Sequence, residues 1–165
     1  MMKKQIDKSE KTNVMRLLEQ SGVAYEAFCY ADTDAVAGLE VADVLGEEPG
    51  QVFKTLVTVG ASGQHYVFMI PADAELHLKK AAKAVGEKNI EMIKAKELLP
   101  LTGYIHGGCS PIGMKKAFPT VMDETAILYD EIYFSAGKVG YQVKCTPEGL
   151  KKLVDYQLAD CVRVD

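Results

Sequence analysis

Apolar positions along the chain recur at two spacings, three-to-four residues and two, and the switches between them divide the chain into short elements. Val14, Leu17 and Leu18 share one helical face, with Thr12 placed as an N-cap and Gly22 as a stop, which predicts a helix over Thr12–Ser21. Val23–Tyr30 reads as a strand, Asp32–Asp34 as a polar turn and Ala35–Leu45 as a second helix ended by Gly46. Pro49-Gly50 turns the chain into Val52–Val59, a strand by its β-branched content, and Gly60–Gly63 forms a hairpin loop into His65–Ile70. Asp73 is placed to cap a helix over Ala74–Val85, ended by Gly86. Glu91–Ile93 is a short strand and Ala95–Leu99 a helical turn.

Beyond a glycine-rich stretch, Thr120–Met122, Glu131–Ser135 and Val139–Cys145 read as strands, the last with Val139, Tyr141, Val143 and Cys145 on one side. Thr146-Pro147 starts a helix whose buried stripe is Leu150, Leu153, Val154 and Leu158, and Asp160–Val164 closes the chain as a strand. About seven short strands with interspersed helices predict an α/β domain around a mixed sheet, with antiparallel neighbours where the turns are short. Residues 1–10 are expected to be an N-terminal tail and residues 11–165 a single domain.

One position breaks the apolar pattern informatively. Lys54 interrupts Val52-Phe53-Lys54-Thr55-Leu56-Val57, and its neighbours on the same strand face, Val52 and Leu56, are both apolar. Two loops downstream are punctuated by glycine: Gly107-Gly108-Cys109-Ser110-Pro111-Ile112-Gly113 and Ser135-Ala136-Gly137-Lys138-Val139-Gly140. A cation leaving a buried strand, beside loops that expose backbone N–H groups, suits a ligand rich in carbonyl or phosphate oxygens. The plainer reading is a lysine whose stem covers apolar surface, with two tight turns elsewhere. Neither loop is a P-loop, and no GxGxxG is present. Cys109 with His106 three residues before it is a conceivable nucleophile and base. Tyr30, before the acidic turn, is either a hydrogen-bond donor to a ligand or a tyrosine at the core edge.

Composition narrows the class. With 48% hydrophobic and 25% charged residues, the 165-residue chain is ordinary globular protein, with no apolar run long enough to span a bilayer and no secretory leader. Four scattered cysteines without a CxxC pair imply free thiols in a reducing cytoplasm, and three histidines without metal-ligand spacing imply no metal or other cofactor. A net charge of −4 argues against a general nucleic-acid binder. Yet His77–Lys116 carries eight lysines against three glutamates, a stretch able to meet an anionic partner weakly or simply to be a solvated face.

In combination and order, Phe53-Lys54-Thr55-Leu56, Lys79-Lys80-Ala81-Ala82-Lys83, Thr102-Gly103-Tyr104, Gly107-Gly108-x-Ser110-Pro111-x-Gly113 and Ser135-x-Gly137-Lys138-x-Gly140 resemble the YbaK/EbsC family of aminoacyl-tRNA deacylases. Its superfamily includes the editing domain of bacterial prolyl-tRNA synthetase. The resemblance spans about Lys11 to Arg163. It implies a curved, mixed, barrel-like sheet surrounded by helices, and removal of cysteine mischarged onto proline tRNA, often with prolyl-tRNA synthetase as partner. Lys54 matches the family's functional lysine, and Tyr30, Thr55, Gly107, Gly108 and Ser135 match its pocket positions, with Ser110 and Gly137 in the same loops. The substrate's own thiol is the nucleophile this family implies, releasing a thiolactone. Two positions depart from the pattern: Ala37 stands where a phenylalanine is common and Gln142 where an aspartate is common. Alternatives are a deacylase for alanine or another small residue, and a non-catalytic module binding tRNA or synthetase.

Overall fold

The computed structural model describes residues 11–163, so the expected tail and Val164 lie outside the described residues. Among the described residues eight strands and five α-helices follow one another, the strands forming two sheets. Helix α1 (Asn13–Gln20) begins where Thr12 accepts a bond from the Met15 N–H, and it buries Val14, Met15 and Leu18. Strand β1 (Glu26–Cys29) is shorter than the alternation predicted. Helix α2 (Gly38–Leu45) ends at Gly46, whose left-handed φ of 68° no β-branched residue would adopt cheaply.

The hairpin is as its pattern predicts: β2 (Phe53–Gly60) pairs antiparallel with β3 (His65–Pro71), Lys54 opposite Ile70 and Leu56 opposite Phe68. Helix α3 (Leu78–Val85) starts four residues later than expected, because the His77 imidazole, not Asp73, accepts from the Lys80 N–H. Strand β4 (Ile90–Met92) pairs with β2 only at Thr58–Gly60, and α4 (Ala95–Thr102) extends past the single turn its sequence implied. After β5 (Thr120–Asp123), β6 (Ile132–Ser135) and β7 (Tyr141–Cys145), Thr146 caps α5 (Pro147–Lys151).

Two expectations at the end of the chain fail. Helix α5 stops at Lys151, and Tyr156–Ala159 is strand β8, so Leu158 is 46% exposed instead of buried on a helical stripe. Parallel pairing of β8 with β5 supplies the backbone bonds that outweigh helical periodicity here. The expected strand at Asp160–Val164 reduces to a bridge between Val162 and Leu76.

The expected mixed α/β architecture is built from a five-stranded mixed sheet (β4-β2-β3-β5-β8) and a three-stranded antiparallel sheet (β1-β7-β6), with no closed barrel among the described residues. A parallel bridge between Val52 and Tyr133 joins them. Phe53, Phe134, Val143, Met15, Leu18 and Leu150 fill the core on one side of this junction. Val52, Tyr133, Phe28, Tyr30, Val41 and Leu45 fill the other, under α2. Helix α3 covers the far face of the larger sheet through Ala81 and Ala82, against Phe68, Ile70 and Val121.

Candidate functional site

Strand register places the site. Beyond the Val52–Tyr133 bridge, β6 leaves β2, while β4 does not reach β2 until Thr58. The stretch Phe53–Leu56 therefore has one edge without a paired strand, and at Val57 the carbonyl already accepts from the Ile93 N–H at 3.4 Å. The Ala72 N–H donates to the Val52 carbonyl on the β3 side. Alternation along the antiparallel pair turns the backbone groups of Phe53 and Thr55 to the open edge. A cavity of about 320 Å³ occupies this gap. Thr55 and Lys54 line it together, although their side chains leave opposite faces of β2.

Lys54, Tyr30, Thr55, Gly107 and Ser135 all line the cavity, with Val36, Val41, Leu56, Leu98 and Phe134 as apolar wall. The Lys54 Nζ lies 3.5 Å from the Ala72 carbonyl oxygen, too long for a strong bond. Burial depresses its pKa below the ordinary lysine value, partly offset by the charges of Glu75 and Asp73. Gly38 opens α2 directly beside it: a Cβ there would stand 3.2 Å from the Ala72 Cβ and 3.8 Å from the Lys54 Cβ. The positive end of the α2 dipole thus adds to the lysine charge at the cavity wall. Tyr30 is 3% exposed, and burial raises its hydroxyl pKa, so it stays a neutral donor.

Gly107 has φ 85°, and a Cβ there would come within 2.5 Å of Val36 Cγ1. It lets the first glycine loop close against the segment before α2. Gly108, Ser110 and Gly137 stand behind the lining. The Gly108 N–H is used by the Ile105 carbonyl at 3.0 Å, and a Cβ on it would lie 3.1 Å from the Val139 nitrogen, so it seats one loop on the other. Ser110 is fully buried, its hydroxyl accepting from the Ile112 N–H at 3.4 Å. Gly137 (φ 89°) donates to Ser135 Oγ at 3.1 Å and faces Val14 and Tyr104.

Cys109 lines the cavity but is 8% exposed, and burial pushes its thiol pKa up to about 12. Among the described residues no hydrogen bond joins it to His106, which is exposed at the cavity mouth. A thiol of that kind is almost wholly protonated at neutral pH and is a poor nucleophile. No group of three or more His, Cys, Asp or Glu side chains is placed to hold a metal ion among the described residues.

Gln142, one of the two departures from the family pattern, is a wall residue. The alternation through Val139, Tyr141, Val143 and Cys145 put it on the outer face, yet it is 2% exposed and lines the cavity. Strand β7 is covered on both faces. Gln142 pairs with Ser135 on β6, which places the two side chains on one face. Its amide Nε2 donates to Glu47 Oε1 at 2.9 Å, in a buried pair. Two buried polar atoms of the lining, Thr55 Oγ1 and Gln142 Oε1, have no hydrogen-bond partner among the described residues. An unsatisfied buried polar group costs about 1–3 kcal/mol.

The sequence profile of the aminoacyl-tRNA editing domain matches residues 33–153. An Enterococcus faecalis protein, provisionally named Cys-tRNA(Pro)/Cys-tRNA(Cys) deacylase EbsC, is 49% identical over 152 residues, covering 92% of this chain and 93% of that one. A proline–tRNA ligase of Trichlorobacter lovleyi is 30% identical over 106 residues, which are 64% of this chain and 18% of the ligase. A crystal structure of a protein provisionally described as a trans-editing enzyme for prolyl tRNA synthetase superposes with a TM-score of 0.78 at 30% identity, over 92% of this chain and 95% of that one. The junction cavity is thus built on a shared scaffold, and the chain belongs to the aminoacyl-tRNA editing domain family.

Proposed function

We propose that the chain is a trans-editing deacylase that removes cysteine mischarged onto proline tRNA. The observation that carries this is the half-buried Lys54, held at the cavity with no strong partner among the described residues, beside a cysteine too buried to be a nucleophile. Family membership and the named activity of the Enterococcus relative support it.

In this reading the substrate supplies its own nucleophile. Its sulfur attacks the ester carbonyl carbon, forming a C–S bond. The C–O bond to the terminal ribose then breaks, and the thiol proton ends on the departing ribose oxygen. A cysteine-derived thiolactone leaves with free tRNA, which makes the step a lyase reaction, with water opening the thiolactone later. Lys54 and the backbone of Thr55 stabilise the carbonyl oxygen as it becomes negative, and Tyr30 and Ser135 orient the ester. Prolyl-tRNA synthetase is the expected partner, holding the tRNA whose acceptor end enters the cavity.

One observation favours a second substrate class. Ala37 lines the cavity with a methyl group where the family often carries a phenyl ring. The extra space admits other small residues such as alanine, released by water instead of a neighbouring thiol. Deacylation assays with cysteinyl-, alanyl- and prolyl-tRNA separate the readings. Cysteine released first as a thiolactone is the expected result. Equal or faster loss of alanine overturns the cysteine assignment, and no turnover of any ester leaves a non-catalytic binding module.

A further inference from the structure

We infer that Gln142, backed by Glu47, is the subsite for the α-ammonium group of the aminoacyl substrate. This rests on the aminoacyl-ester reading given above and adds a specificity-determining residue to it.

Amide orientation follows from chemistry. A carboxylate only accepts hydrogen bonds, so the Gln142 side chain must turn its NH₂ to Glu47, as the 2.9 Å Nε2–Oε1 contact shows. That leaves Oε1 buried without a hydrogen-bond partner among the described residues, on a side chain that lines the cavity. A lone buried acceptor calls for a donor. Polarised by the carboxyl group behind it, it favours a cationic donor over a neutral one. Burial is the chief cause of the raised Tyr30 pKa and the Glu47 charge adds to it, which places that charge near a second lining residue.

Register puts the donor where an aminoacyl ester would carry it. Gln142 is the cross-strand partner of Ser135, and Ser135 lies two residues past the bridge residue Tyr133, as Lys54 lies two past Val52. A carbonyl held at Lys54 thus has the Gln142 oxygen on the same face of the junction. An α-ammonium group is the one strong cationic donor that every aminoacyl ester places next to its carbonyl carbon. Free carboxylic esters and peptidyl groups lack it.

The test is calorimetric binding of two non-hydrolysable adenosines, one bearing cysteine in amide linkage at the 3′ position, the other its desamino 3-mercaptopropionyl counterpart. Wild-type protein is expected to bind the first roughly ten- to a hundredfold more tightly, the range of a hydrogen bond to a charged group. Gln142→Leu should lose that preference, and Glu47→Gln should weaken it, with little change for the desamino compound. Equal binding of both compounds by wild type, binding of neither, or an undiminished preference in a folded Gln142→Leu protein overturns the inference. The wild-type comparison decides the matter even where the leucine variant does not fold. Discrimination without turnover of Cys-tRNA(Pro) would instead overturn the deacylase reading and leave the ammonium subsite standing.

Discussion

Val52 and Tyr133 form a parallel bridge between the two sheets, and the residues two positions beyond each, Lys54 and Ser135, both line the cavity. Equal offsets in parallel segments keep the parity of the bridge, so the two side chains belong to one face. Past the bridge no strand ladder continues between β2 and β6, which leaves that edge of β2 without strand pairing. A site built at such a divergence is held by core on both sides, through Phe53 and Phe134 on one and Tyr133 and Tyr30 on the other.

Lys54→Ala should lower single-turnover deacylation of Cys-tRNA(Pro) by about 10²- to 10³-fold, the usual loss on removing a group that stabilises transition-state charge. Thermal unfolding of the variant should stay near wild type, since the position is only half-buried and gives up no strong bond. A near-normal rate would take Lys54 out of the mechanism.

Alkaline pH should remove the enzyme-dependent rate earlier than an ordinary lysine would. The Lys54 pKa lies below the ordinary lysine value, burial being the chief cause, and the proposed mechanism uses its charged form. Activity therefore falls as pH rises through that lowered value. The stability contribution has the opposite sense. Between the folded pKa and 10.5 the unfolded chain binds the extra proton, so this group's contribution to stability rises with pH there. Rate–pH and melting–pH profiles of wild type and Lys54→Met check both, and the variant should lack each lysine-dependent component.

Cys109→Ser should retain most of the activity. Burial holds the thiol protonated, with a pKa of about 12, and no base is bonded to it among the described residues. A loss on the order of 10⁴-fold, or an acyl group trapped on Cys109, would make it the nucleophile.

Two glycine substitutions should separate a packing clash from backbone strain. Gly137→Ala meets Val14 Cγ2 at 2.9 Å and Tyr104 Cε1 at 3.1 Å with φ 89°, and should cost about 1–3 kcal/mol of stability. Gly63→Ala has φ 91° but nothing within 4 Å, so it should cost only the backbone strain. Denaturant midpoints of the two variants give the ordering, and a Gly137→Ala protein as stable as Gly63→Ala would contradict it.

Binding to tRNA alone should be weak and steeply dependent on salt. Lys80 is engaged by Asp160 and the Val162 carbonyl, which leaves the other lysines of His77–Lys116 exposed. If about three or four meet phosphates, log K should fall with log salt at a slope of roughly −2 to −4. Prolyl-tRNA synthetase should strengthen binding by raising the effective concentration of the correct tRNA. Titrations at several salt concentrations, with and without synthetase, measure it. Tight, salt-insensitive, proline-specific binding by the isolated chain would refute it.

The sequence by itself determined what short-range physics can specify. Thr12 and Thr146 as caps, Gly22, Gly46 and Gly86 as stops, and the β2–β3 hairpin follow from local hydrogen bonding and backbone freedom, and they stand where the pattern puts them. The position of Lys54 was legible too, as a charge inside an otherwise apolar strand, and it lines the cavity. Only the tertiary structure decided what depends on distant partners. Tyr156–Ala159 is a strand because β5 offers its edge, and His77 displaces Asp73 as a cap because the chain returns along Cys161. Gln142 became part of the site because β6 and Glu47 cover a face that alternation alone assigns to water. A two-residue period says which side chains share a face; it does not say what will be packed against that face.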